Sequence, residues 1–390
     1  EVSEEAKESE EAVAFAASPE VAATAPDVGR NVIPTDDVEE AASPSEATDG
    51  ETEIEPEPEA PTAPTPPSSE SEPPAEEEKE EAIEKMPEVT EEASAAETEE
   101  VSPEASAPEA TEDAEVYRER GNAHFMKRAY KQAIEAYSRA LEVNPQDAVA
   151  YNNRGLSYAQ LKGFDRAIED YTRAIEIHPR YASAYKNRAW ICARQRNYEQ
   201  ARADYSRALE INPQDAKAYN DRGNIHIQLE AYDQAIDDYT EAIRYNAQYA
   251  VAYLNRGQAY MHQSAYEKAI ADFDQALALP QNKVDAVAHH FRGRAYAQLG
   301  QPEQALADYE QALAERPTYA PLYSDQGLAY VQLKQYDAAL AAYQTAIEHN
   351  PKFAPAYYNA ACAAALKEDV SAACDWLKRA IDQHPKYRLM

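Results

Sequence analysis

The sequence predicts an all-α fold, a superhelical solenoid of eight antiparallel helix hairpins preceded by a long disordered acidic tail. Three observations predict it. Of the 71 acidic and 37 basic side chains in 390 residues, residues 1–113 hold 37 acidic and only 4 basic groups, so nearly all of the net charge of −34 lies there. All 28 tyrosines follow that point, whereas 15 of the 25 prolines precede it. From Ala114 onward, small, aromatic and proline residues return at a fixed 34-residue step.

The first segment, residues 1–113, is low-complexity Glu, Ala, Pro, Ser and Thr with one aromatic, Phe15. So little apolar surface and so much like charge do not offset the entropy of ordering. Prolines interrupt helix every few residues. An extended arm is expected, reaching roughly 60 Å as a random coil and further under charge repulsion.

The second segment, residues 114–387, divides into units 114–147, 148–181, 182–215, 216–249, 250–285, 286–319, 320–353 and 354–387, with 388–390 as a short end. Position 8 of the units is Gly121, Gly155, Ala189, Gly223, Gly257, Gly293, Gly327 and Ala361. Positions 20 and 27 are alanine in all eight, and position 24 is aromatic in seven, from Tyr137 to Tyr343, with Leu377 in the last. Small residues at 8 and 20 let two helices approach, and aromatics fill the remaining space. Proline at or next to position 32, as in Pro145 and Pro179, ends each second helix because it cannot continue the ladder. Each hairpin leaves an apolar face that only its neighbours can bury, so stacking creates one continuous core with a concave and a convex side.

This pattern of aromatic, Gly, Tyr, Ala, aromatic, Ala and Pro resembles the tetratricopeptide repeat, over about 70% of the chain. The resemblance implies a right-handed superhelix, with ligands held in a groove lined by the first helix of each hairpin. Position 7 departs from the family, which usually carries leucine there. Six units have arginine, Arg120, Arg154, Arg188, Arg222, Arg256 and Arg292, while position 23 is aspartate in units two to six: Asp170, Asp204, Asp238, Asp272 and Asp308. Units seven and eight lose both, having Gln326 with Ala342 and Ala360 with Trp376. Two positions that change together across repeats of one chain touch, so a ladder of Arg–Asp pairs is expected inside the hairpins.

No GxSxG, P-loop, HExxH or CxxC motif is present, and no enzyme, cofactor or metal is expected. Cys192, Cys362 and Cys374 read as inert small hydrophobes, and His289 and His290 as core or groove filling. No stretch approaches the ~18 apolar residues of a membrane span, and nucleic acid is excluded as a partner because no clustered basic surface balances the acidic charge. Three scattered cysteines favour a reducing compartment, cytoplasmic or organellar. Since the sequence begins at Glu1 rather than Met, an upstream segment is expected to have been removed, and the residues present do not say whether it held a signal or anchor.

Recognition of other proteins or peptides remains. The groove positions 2, 5, 6, 9, 12 and 13 vary between units. Position 6 is Asn153, Asn187, Asn255 and Asn359; in the family an asparagine there commonly bonds the backbone of an extended peptide. Satisfaction of a neighbouring helix is the alternative. Asn224 repeats, at position 9 of unit four, the place of Asn122 in unit one. Lys186, Trp190 and Arg194 stand at i, i+4 and i+8, one helical face with an aromatic plate and two cations. Co-chaperones of this family clamp acidic chaperone tails with Lys at 5 and Asn at 9 of one unit, Asn at 6 of the next, then Lys at 2 and Arg at 6. Arg118, Asn122 and Asn153 fit the first half; Ser183 and Asn187 replace the cations of the second.

Units one to three together carry +4, and units four to seven are each negative. The acidic arm adjoins the basic end and could occupy the groove or merely screen it. The last helix should leave Trp376 or Leu377 partly uncovered, so that either another chain caps it through self-association or a following segment has been cut away. The expected function is a noncatalytic scaffold or adaptor in the assembly of a larger complex. The alternatives are a co-chaperone binding acidic tails and a noncatalytic subunit of a membrane-bound complex.

Overall fold

A computed structural model describes residues 113–279 and 284–383. The expected acidic arm, Pro280 and the final seven residues lie outside the described residues. Those described form sixteen helices: α1 Ala114–Met126 and α2 Tyr130–Val143, α3 Ala148–Gln160 and α4 Phe164–Ile177, α5 Ala182–Arg194 and α6 Tyr198–Ile211, α7 Ala216–Gln228 and α8 Tyr232–Tyr245. The series continues with α9 Ala250–His262 and α10 Tyr266–Ala278, α11 Asp285–Gln298 and α12 Pro302–Glu315, α13 Ala320–Gln332 and α14 Tyr336–His349, α15 Ala354–Leu366 and α16 Val370–Gln383. Each odd-numbered helix packs on the even-numbered one that follows, giving eight hairpins in sequence order. First helices of neighbouring units also touch one another, whereas second helices are spread apart, so the first helices form the inner face.

The aromatic at position 24 fixes the hairpin. Tyr137, Tyr239, Phe273 and Tyr343 are fully buried, each against the small residue at position 8 of its own unit. A Cβ at Gly155 would lie 2.7 Å from Tyr171 Cε1, and one at Gly257 would lie 2.5 Å from Phe273 Cε1, closer than carbon atoms approach. Alanines at position 20 are fully buried from Ala133 to Ala339, while Ala373 of the last unit is half-buried.

Each first helix ends in the same way. The residue at position 15 takes a left-handed φ of 57–70° in all eight units: Arg128, Lys162, Arg196, Glu230, Ser264, Gly300, Lys334 and Glu368. The following amide then reaches back five residues, as from Ala129 N to His124 O at 2.9 Å, satisfying a carbonyl the helix leaves open. Seven of the eight are not glycine, so each carries a Cβ in a region that favours its absence.

The expected Arg–Asp ladder is present in all five units. Arg154 donates from Nε to Asp170 Oδ2 at 2.8 Å and from Nη2 to Oδ1 at 2.7 Å. Arg188–Asp204, Arg222–Asp238, Arg256–Asp272 and Arg292–Asp308 repeat this two-point geometry at 2.6–2.9 Å. The remaining arginine nitrogen reaches the preceding unit, at Ser138, Thr172, Ser206, Thr240 and Asp274 in turn. Each arginine therefore ties a hairpin together and joins it to the one before.

Candidate functional site

The inner face is built from positions 5, 6 and 9 of the first helices, which adjoin the equivalent helix of the next unit. Asn153 is fully buried, donating to Asn122 Oδ1 at 3.1 Å and accepting from Asn152 at 3.0 Å. Asn122 also accepts the Tyr137 hydroxyl at 2.8 Å. The set recurs three units on: Asn255, 1% exposed, donates to Asn224 at 3.1 Å and Asn220 at 3.0 Å, and Tyr239 donates to Asn224 at 2.8 Å. Asn187 donates to Asn152 at 2.9 Å and Asn359 to Ser324 at 3.3 Å, while His290 Nε2 lies 2.7 Å from Asp325. These side chains form a polar spine between units. The expectation that position 6 faces a peptide backbone is therefore corrected at Asn153 and Asn255, whose buried amides are turned to the neighbouring helix.

The cations at position 5 have a shared geometry of their own. Arg118 bonds Asp147 at 3.0 Å and Glu115 at 3.4 Å, and Lys186 bonds Asp215 at 2.6 Å. Asp147 and Asp215 are the residues before α3 and α7, and each also accepts the backbone amide three residues on, from Ala150 at 2.9 Å and Ala218 at 3.0 Å. One carboxylate thus caps a helix and holds a cation from the preceding unit. The sequence signal for this was an alternation: position 5 reads Arg118, Asn152, Lys186, Asn220, and position 34 reads Asp147, Tyr181, Asp215, Tyr249. It has a period of two units, which alignment at 34 residues hides.

Of the predicted triad, Trp190 and Arg194 come together and Lys186 turns away to Asp215. The Arg194 guanidinium carbon is 4.8 Å from the centre of the Trp190 ring, whose edge meets Phe164 at 6.5 Å. Trp190 is half-buried and Arg194 exposed. The ring packs against a core cluster of units one to three, and the exposed guanidinium lies over it.

Between units five and six the spine changes character. Position 5 is Leu254, position 6 of the next unit is Phe291, and position 24 is Phe273, so the apolar residues supply no hydroxyl or amide there. Gln258 at position 9 is 4% exposed, and neither of its amide atoms has a partner among the described residues.

Burial pushes the thiols of Cys192 and Cys362 up, away from the thiolate a nucleophile needs. Among the described residues no three His, Cys, Asp or Glu side chains group to hold a metal, and no helix is long and apolar enough to cross a membrane.

Family models described as tetratricopeptide repeat match residues 152–216, 220–283, 286–319 and 324–388, and one described as TPR repeat matches 121–162. Comparison with curated proteins gave no match. Among solved structures, YrrB, titled a TPR protein with an unusual peptide-binding site, is 26% identical over 47% of this chain and 94% of its own, with a TM-score of 0.40. A tetratricopeptide repeat protein from Parabacteroides merdae is 22% identical over 67% of this chain and 98% of its own, with a TM-score of 0.48.

Proposed function

Since the chain belongs to the tetratricopeptide repeat family, we propose that it is a noncatalytic scaffold or adaptor, binding peptide segments of partner proteins on its inner face during assembly of a larger complex. The observation that carries this reading is the Trp190–Arg194 pair. Its ring packs on Phe164 and the core, so little freedom of the ring remains to be lost on binding, and its exposed cation lies 4.8 Å from the ring centre. A plate of this kind suits an aliphatic or aromatic side chain flanked by a carboxylate.

The co-chaperone reading has less support. Arg118 is already held by Asp147 and Glu115, and Asn122 and Asn153 bond each other. A clamp would have to break these contacts to receive a carboxylate. Three free cysteines suit a reducing interior, cytoplasmic or organellar. On the last helix Val370 is 57% and Leu377 38% exposed, which suits contact with a second chain.

The test is capture of partners by the full-length chain, identification by mass spectrometry, and measurement of the captured partner against Trp190→Ala. A loss of about thirtyfold or more, the cost of an aromatic hot spot of ~2 kcal/mol, supports the reading. Unchanged binding by Trp190→Ala removes the inner face of unit three as the site.

A further inference from the structure

A cavity of about 590 Å³ lies off the inner face, at the edge where the turn joining α3 to α4 meets α2. Its apolar walls are Ile134 of α2, Tyr158 of α3, Leu161 of the turn and Phe164 of α4. Leu161 is 44% exposed, one of six large hydrophobic side chains so open to solvent among the described residues. Three cations stand around this floor: Lys131, Lys162 and Arg166. Arg166 lies 5.5 Å from the centre of the Tyr158 ring. Asp165, the acidic residue of the rim, is exposed and faces the next unit, where it accepts from Gln195 at 3.3 Å. The cavity thus combines a hole for one large apolar side chain with a rim for anions.

The chain itself carries a segment of that chemistry. Phe15 is the only aromatic in residues 1–113, and Ser9-Glu10-Glu11-Ala12-Val13-Ala14 leads into it. Reach is no obstacle: the chain between Phe15 and Asp113 can span up to roughly 3.3 Å per residue, far more than the length of one hairpin. Covalent attachment makes the encounter intramolecular, so even a weak pairing is populated.

We propose that this cavity is an intramolecular docking site for the acidic segment around Phe15, with the Phe15 ring in the apolar hole and Glu10 and Glu11 against Lys131, Lys162 and Arg166. The proposal concerns a surface other than the inner face: it puts the acidic arm on the turn edge of units one and two, with Phe164 common to this cavity and to the packing of Trp190. Docking is held by charge at its rim and therefore weakens with salt.

The test uses the full-length chain with Phe15→p-benzoylphenylalanine, an aromatic photo-cross-linker that preserves the anchor. Irradiation is expected to give cross-links within one chain to residues 131–134 or 158–166, with a yield independent of protein concentration and reduced in 0.5 M salt. Lys131→Glu with Lys162→Glu, both at exposed positions, should lower that yield more than about fivefold with the circular dichroism unchanged. Cross-links scattered along the chain, or concentrated at another site, overturn the proposal. So do cross-links between chains that rise with concentration, and a yield the double variant leaves intact.

Discussion

Tyr239 donates its hydroxyl to Asn224 Oδ1 at 2.8 Å, and Asn224 in turn receives the amide of Asn255 in the next unit. The same position three units later is Tyr343, equally buried, whose hydroxyl has no partner among the described residues because position 9 of its unit is Leu328 rather than asparagine. Tyr239→Phe should therefore cost about 1 kcal/mol and leave Asn224 short of a donor, whereas Tyr343→Phe should be neutral or stabilising. Urea melts of the two variants check the sign of the difference.

Gln258 makes the complementary case. Its carboxamide is buried beside a position where the polar partners of the spine are replaced by Phe273 and Phe291. Gln258→Leu, which removes the unpaired amide while keeping most of the volume, should raise stability by about 1 kcal/mol. A lowered melting temperature would show that the amide is satisfied in solution.

The Arg–Asp ladder predicts strong non-additivity. Asp204→Ala leaves the Arg188 guanidinium, with a side chain only 16% exposed, without its carboxylate, and should cost ~3–5 kcal/mol. Arg188→Gln together with Asp204→Ala recreates the pairing of Gln326 and Ala342 in unit seven and should cost less than Asp204→Ala alone. A double-mutant cycle measured by urea denaturation decides it, and additive losses would remove the coupling.

His226 and Asp308, whose folded-state values are depressed, should each lose their contribution in acid, while burial raises the Asp170 and Asp272 carboxyls above the ordinary value and acts in the opposite sense. Burial lowers the pKa of His226 below the ordinary 6.5, against the pull of Asp238. Burial alone would raise the Asp308 carboxyl, but hydrogen bonds from Arg292 and His289 bring it below 3.8. In each case the unfolded chain takes up a proton before the native one does, so stability is full above the unfolded value and falls as pH drops through the folded one. The first loss begins near pH 6.5 and the second below pH 4. Stability measured at pH 7.5 and pH 5 should differ less in His226→Gln than in the parent chain.

The eight hairpins were legible because burial acts alike on every unit: glycine at 8, alanine at 20 and an aromatic at 24 leave a mark repeated at 34 residues. The Arg–Asp ladder was legible for the same reason, since units seven and eight drop both partners together. The asparagines were not. Asn153 and Asn255 have the shape of peptide ligands, and whether their amides turn to solvent or to the neighbouring helix depends on Asn122, Asn220 and Asn224, residues 31 to 35 positions distant. The left-handed residue at position 15 left no mark either, because its helix-ending hydrogen bonds use backbone only and seven different units fill it with Arg, Lys, Glu or Ser.

The apolar junction between units five and six, where Leu254 and Phe291 replace the amides found elsewhere and two extra residues enter the chain, also changes how the array should come apart. The largest apolar cluster among the described residues crosses this junction, from Leu254 and Phe273 to Val284 and Phe291, and a linear stack opens last where its neighbours are coupled most strongly. Hydrogen exchange should then show units five and six opening together as one cooperative block, after the flanking units, as denaturant rises. The middle of the array would then stay folded while its two ends fray.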